Sequence, residues 1–229
     1  MEALSDGVFA LAIAILLLSS SVPGSFHELW LFVQDLPAFG VCIIFIYWIW
    51  RQQVAFFLRY GLYDSKTSIL TLGLLFFVLF YVYPLKFLMT WLMQFFAALI
   101  TGNLFQESDH LSQMIPMDKM PYLMVLYGVG FICIWWVLYL LYSHALSKAE
   151  YLGLNEIELY ETKYSLMEKK TTLLIGVLSV GIALLGLAFE VPVAAAVAGW
   201  TYNLIWITTI INLRRRKKQL QLLQADVSI

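Results

Sequence analysis

Charge is scarce in this chain. Of its 229 residues only 13% are Asp, Glu, Lys or Arg, and 62% are hydrophobic. A soluble domain carries roughly 25% charged residues, so a soluble enzyme with this composition would lack the polar surface to cover its core. Cysteine is scarce too. Cys42 and Cys133 each sit inside an apolar run, where free cysteine behaves as a small hydrophobe. A disulfide framework and zinc or redox spacings are therefore excluded. The net charge of −1 gives no global field for nucleic acid. No nucleophile–base pair, metal-ligand cluster or phosphate loop is present, which argues against an enzyme and against a bound cofactor. A positive n-region is missing as well. The first apolar stretch carries Glu2 and Asp6 instead, so it reads as a membrane span rather than a signal peptide.

What is there is long apolar runs. A helix needs about 20 mostly apolar residues to cross a bilayer core. Six runs qualify, at approximately 3–22, 36–58, 68–100, 121–146, 171–189 and 192–213. Asp35-Leu36-Pro37 opens the second as a cap followed by an early proline. Pro84 interrupts the third, and residues 87–100 are read as its outer extension. Orientation follows from the basic residues. With the N-terminus inside, 12 of the 14 Lys and Arg lie on the inner side, leaving only Lys86 and Lys119 outside, a strong positive-inside bias. The expected fold class is all-α: a multi-pass protein of the cell membrane with six transmembrane helices, a single domain over 1–229 and both termini cytoplasmic. Pro23, Gly24, His27 and Glu28 mark a short outer segment, and residues 101–120 a longer outer loop. Residues 148–170 form an inner linker, expected to lie on the membrane surface as an amphipathic helix.

Ionisable side chains at the centre of a membrane helix cost about 2.5–3.5 kcal/mol, so the few near these spans are candidates for function. Asp6 sits in the first turn of the first span, where a carboxylate also complements the helix dipole. Arg51 can snorkel to the inner headgroups. His144 reads as interfacial and Glu190, close to Pro192, as part of an outer turn. In the first span Ala10, Ala12 and Ala14 alternate with Leu11, Ile13 and Ile15, and small residues allow close helix approach in lipid. Leu11, Ala14 or Ile15, and Leu18 fall on one face. Such a face suits an ordinary packed helix, or a pore wall with an apolar constriction of the kind that gates or filters ions.

The segment Leu4-Ser5-Asp6-Gly7-Val8-Phe9-Ala10-Leu11-Ala12-Ile13 resembles the first-helix signature of the transmembrane protein 175 family of potassium channels. Tyr47-Trp48-Ile49 is similar to that family's tyrosine–tryptophan stretch, and Tyr83-Pro84 to its third-helix proline motif. The second half of the chain carries no matching motif. The resemblance implies a homotetramer in the lipid bilayer, because this chain lacks the family's internal duplication. Four first helices would line a central pore for potassium and other monovalent cations. Selectivity would come from bulky apolar side chains, not from a TVGYG-type carbonyl filter, and no such sequence occurs here. Carried over by motif, the narrowest position is Leu11, the next layer is Ala14, and Ile15 and Leu18 continue the pore-facing side. Ser5, Asp6 and Gly7 match the residues that hold the pore helix in place, with Trp48 as their expected partner on the second helix.

The chain also departs from the family pattern. Leu4 replaces a phenylalanine, and Trp50-Arg51-Gln52 stands at the family's polar and histidine positions. The family's motif opens with an arginine six residues before the aspartate, ahead of the first residue of this sequence. Ala14 stands where threonine is usual. A ring of hydroxyls can replace part of a cation's hydration shell and a ring of methyls cannot, so discrimination of potassium from sodium is expected to weaken. The alternative from another class is a secondary transporter or permease for a small solute, whose repeats and broken helices are not evident. Without an arginine-rich span, steep voltage gating is not expected.

Overall fold

Every regular element among the described residues is a helix, as expected where a backbone without water must satisfy its own polar groups. The computed structural model describes residues 1–18, 22–103, 111–191 and 193–227. The elements are α1 (Glu2–Leu18), α2 (Phe26–Gln34), α3 (Leu36–Tyr60), α4 (Ser65–Thr101), a short 3-10 turn (Met117–Lys119), α5 (Met120–Ser147), α6 (Glu156–Ala188), α7 (Val193–Thr201) and α8 (Asn203–Val227). Five stretches are long and apolar enough to cross a membrane: Leu36–Tyr60, Ser65–Thr101, Met117–Ser147, Glu156–Ala188 and Val193–Lys217. α1 has 17 residues, short of the about 20 that a span usually takes. Residues 19–21, assigned to it from sequence, lie outside the described residues, and Val22 is not helical. Pro192, the expected start of the last span, is likewise outside them.

Three sequence expectations change shape. The segment around His27 and Glu28 is helix, not loop: Ser25 Oγ accepts the Glu28 N–H at 3.2 Å and Glu28 Oε2 accepts the Gly24 N–H at 2.7 Å. The linker 148–170 is not a separate surface helix. Asn155 and Glu158 cap each other's N–H groups at 2.9 Å, and from this box one helix of 33 residues runs through to Ala188. The last apolar run is broken at Tyr202, between α7 and α8. There the Thr201 hydroxyl donates to Ala198 O at 2.6 Å and Asn203 Nδ2 to Trp200 O at 3.1 Å, so side chains take up backbone carbonyls at the break.

α4 keeps its proline. Its 37 residues make it about 55 Å long, well beyond the roughly 30 Å of a hydrocarbon core. Pro84 lies inside it and has no N–H to donate. One turn later the ladder is reconnected from outside. The Tyr127 hydroxyl donates to Pro84 O and accepts the Leu88 N–H at 3.1 Å. A side chain inserted into the i→i−4 ladder is a recognised way to carry a helix through such a site.

The most extensive helix pair is α5 with α6; α4 packs on α5, and α7 and α8 on α6. α1 packs on α3 and α4 at one edge of the bundle. An aromatic core joins α3 to α5, with Trp48 and Trp135 ring centres 4.5 Å apart. Two contacts set sharp limits. Gly186 faces α7 so closely that a Cβ on it would lie 2.5 Å from the Ala194 Cβ and 3.2 Å from Val191 O. Asp64 caps α4 by accepting the Thr67 N–H at 3.0 Å, while its other oxygen meets His144 Nε2 at 2.7 Å and Lys148 Nζ at 2.9 Å. His144 is thus a buried partner of Asp64. Thr67, then Lys148 and His144, hold the Asp64 carboxyl well below the usual carboxylate range.

Two outcomes follow from these contacts. Gly186→Ala should destabilise by about 1–3 kcal/mol through overpacking, whereas Gly181→Ala on the same helix, with nothing within 4 Å of its added Cβ, should be neutral or slightly stabilising. Melting of the detergent-solubilised protein checks both. Because the folded-state value of Asp64 is depressed, its contribution is complete above about pH 4 and is lost as pH falls below that. Asp64→Asn keeps a capping side chain but no charge. Its melting temperature should therefore fall less steeply with acid than that of the native chain, and parallel slopes would count against the cluster.

Candidate functional site

The sequence of α1 separates into two faces once it packs. Ser5, Phe9, Ala12 and Leu16 are buried against α3 and α4. Leu4, Gly7, Ala10, Leu11, Ala14, Leu17 and Leu18 are exposed on the opposite side. Leu11 is 49% and Leu18 77% exposed, in an element whose buried face is nearly closed to solvent. Leu11, Ala14 and Leu18 thus share one stripe at three- and four-residue spacing. Ile15 does not lie fully on it, being half-buried and packed against the core.

Polar contacts hold both ends of α1. Gln53 Nε2 donates to Ser5 Oγ at 2.8 Å, with both residues buried. Trp50 Nε1 donates to Asp6 Oδ1 at 2.8 Å near the surface. Trp50 and Gln53 are three residues apart on α3, so one helical face presents both donors to α1. At the other end α1 has no basic residue in its last turn. Lys86 from α4 donates to Leu16 O at 3.0 Å, placing a cation beside the negative pole of the helix. The candidate site is therefore one apolar helix, fastened by polar contacts at both ends, with a stripe left uncovered. Among the described residues no group of His, Cys, Asp or Glu is arranged to hold a metal.

The family comparison includes this same helix. Residues 1–81 match the model of a family described as the endosomal/lysosomal potassium channel TMEM175. A protein of Marivirga tractuosa named a potassium channel is 39% identical over 170 residues, which is 73% of this chain and 67% of that relative. The chain belongs to the TMEM175 family. The TMEM175 fold also covers the part without motifs. A crystal structure of the potassium channel MtTMEM175, a threonine-to-alanine variant in complex with a nanobody–MBP fusion protein, superposes with a TM-score of 0.82 at 37% identity, over 95% of this chain and 92% of that one. These relatives are named as channels, and no enzymatic family is indicated.

Within this TMEM175 chain the signature residues divide by role. Ser5 and Asp6 make the two contacts to α3, while Gly7 lies on the exposed stripe. Trp48, the expected partner on α3, is not the indole that reaches Asp6. It turns toward α5 and packs on Trp135, and Trp50 takes the contact. Gln53 was missed from sequence. Its signal was its place as the last residue of the polar run Arg51-Gln52-Gln53, three positions after Trp50. Arg51, exposed, makes neither contact. Ser5→Ala should cost about 1–3 kcal/mol, because it strands a buried amide. Trp50→Phe should cost less than about 1 kcal/mol where Asp6 can turn to water. Melting curves of the two variants, ranked in that order, check the assignment.

Proposed function

We propose that copies of this chain, four by analogy with the single-repeat members the sequence resembles, bring the exposed stripe of α1 together around a shared axis and conduct potassium along it. The observation that carries the reading is the uncovered stripe itself. An apolar helix, held in register by polar contacts at both ends, presents Leu11, Ala14 and Leu18 away from its own bundle. Membership of a potassium-channel family supports reading such a helix as a pore wall. In this reading α1 completes six spans, both termini are cytoplasmic and the chain resides in the cell membrane, the arrangement that the distribution of Lys and Arg favours.

Leu11 is the constriction. Four leucine side chains facing each other offer no oxygen to a cation, so an ion passing them sheds part of its water uncompensated. Ala14, one turn further along, offers a methyl where family members usually offer a hydroxyl. The layer after the constriction therefore does little to restore coordination, and the chain favours potassium over sodium only weakly. Names of relatives as potassium channels weigh against a coupled transporter.

Liposomes holding the purified protein test this directly. They should show passive potassium flux without any co-substrate. Leu11→Ala should raise the flux, since a barrier lowered by about 1.4 kcal/mol is worth tenfold. Ala14→Thr should increase the potassium-to-sodium permeability ratio. Flux indifferent to Leu11 would take that residue out of the pathway, and an unmoved permeability ratio would remove Ala14 from selectivity.

A further inference from the structure

Only 11% of the apolar stretch within Val193–Lys217 is buried in the bundle, against 33–39% in the other four long spans. The few contacts that hold α8 also fix its rotation. Ile205 packs against the core, Asn212 is 9% exposed, and Arg216 makes a two-pronged contact with Glu161 of α6, its Nε 2.6 Å from Oε1. At about 100° per residue these three lie within a sector of about 40°. Trp206, Ile207, Ile210 and Ile211 fall on the opposite side and are 44–74% exposed.

Two cations continue that outward sector. Arg214 stands about 180° and Lys217 about 120° round the helix from Ile205, while Arg216 between them is turned inward. Arg214 and Lys217 are both exposed, and neither makes an ion pair among the described residues. Their three-residue spacing puts them about 5–6 Å apart, where like charges repel unless an anion lies between them. A guanidinium also matches two oxygens of a phosphate at once. The level on the bundle fits a headgroup. Glu161, which holds Arg216, is 3.7 Å from Arg59 in the last turn of α3, so this is an end of the bundle and not its middle. Trp206 lies about 12 Å along the axis from Arg214, inside the roughly 15 Å of one acyl leaflet. An apolar wall nearly as long as a leaflet, ending in two unpaired cations, is complementary to a lipid whose headgroup is acidic.

We propose that the outward face of α8 binds an acidic glycerophospholipid, its phosphate held between Arg214 and Lys217 and its acyl chains lying along Trp206, Ile207, Ile210 and Ile211. A zwitterionic lipid brings its own cation beside the phosphate and neutralises the pair less well. The bound lipid relieves the repulsion between the two cations and adds contacts to the span that has fewest of its own. The site stands whether or not the chain conducts.

The test uses the full chain in an uncharged maltoside detergent with phosphatidylglycerol as probe, bound lipid being counted by native mass spectrometry and stability read by thermal shift. Phosphatidylcholine and glycerol 3-phosphate are the comparisons. Phosphatidylglycerol should bind saturably and raise the melting temperature; at equal concentration the other two should do neither. Arg214→Gln combined with Lys217→Gln should weaken binding about tenfold. Lys163→Gln combined with Lys170→Gln removes the same charge from exposed positions of α6, about 180–200° round that helix from Glu161, and should leave binding unchanged. Equal loss in the two double variants would mean general attraction of charge, and loss in neither would take Arg214 and Lys217 out of the site. Equal binding of glycerol 3-phosphate would mean a site for a free anion. An oligomer that falls apart in the lipid-free Arg214→Gln, Lys217→Gln protein would mean that another copy covers this face. Each of these results, like equal binding of the two lipids, would overturn the proposal.

Discussion

The hydrogen bond between Ser5 and Gln53 decides which way α1 faces. Inside lipid an apolar helix gains little by choosing one rotation over another, because acyl chains are as apolar as leucine. A buried hydroxyl and a buried amide remove that freedom. Turning α1 by one residue moves Ser5 by about 100° and strands two polar groups, at about 1–3 kcal/mol each. Exchanging one set of leucine contacts for another costs far less. The exposed stripe from Leu4 through Gly7, Leu11 and Ala14 to Leu18 is thus a consequence of one polar pair at the helix's N-terminal end, with Lys86 on Leu16 O at 3.0 Å keeping the far end in line.

The same economy of polar groups organises the rest of the bundle. Tyr127 reconnects α4 after Pro84. Lys169, 1% exposed, is buried only because α3 and α5 receive it. Its ammonium donates to Gln52 Oε1 at 2.6 Å, lies 3.3 Å from Glu168 and sits 4.8 Å from the centre of the Tyr142 ring. Tyr142 in turn donates to Gln52 O at 3.1 Å. Near the chain's C-terminal end, Arg216 of α8 makes a two-pronged contact with Glu161 of α6, its Nε at 2.6 Å from Oε1. Apolar packing fills the spaces between helices, and these few pairs fix which helix meets which and in what register.

How much of this was legible in the sequence depended on whether the partners were close in the chain. All-helical architecture followed from composition and run length. Ser5 and Asp6 stood out because a motif is local. Trp48 was the expected partner and Trp50 makes the contact with Asp6, because adjacency in a motif is not adjacency in space. Two residues apart on a helix is about 200°, so the two indoles of α3 point to opposite neighbours, Trp135 and Asp6. The pairing of His144 was not legible because its partner, Asp64, is 80 residues away. The long α6 was signalled by Asn155 and Glu158 at capping-box spacing, and the charged residues that follow concealed its continuity with the apolar half. The same spacing at Ser25 and Glu28 precedes α2 and went unread in the outer segment.

Exposure alone does not separate a face that meets lipid from one that meets protein, but residue size does. α8 is also uncovered, and the outward residues of its apolar part include Trp206, Ile207, Ile210 and Ile211. Such a surface suits fluid acyl chains and keeps neighbouring backbones apart. On α1 the outward residues interleave leucine with Gly7, Ala10 and Ala14. Small residues admit close approach of another helix, and in the proposed assembly the leucines between them would leave a narrow apolar passage rather than a sealed seam. A helix meant only for lipid has no use for that alternation. The contrast between α8 and α1 within one bundle supports the proposal that further copies of the chain converge on α1.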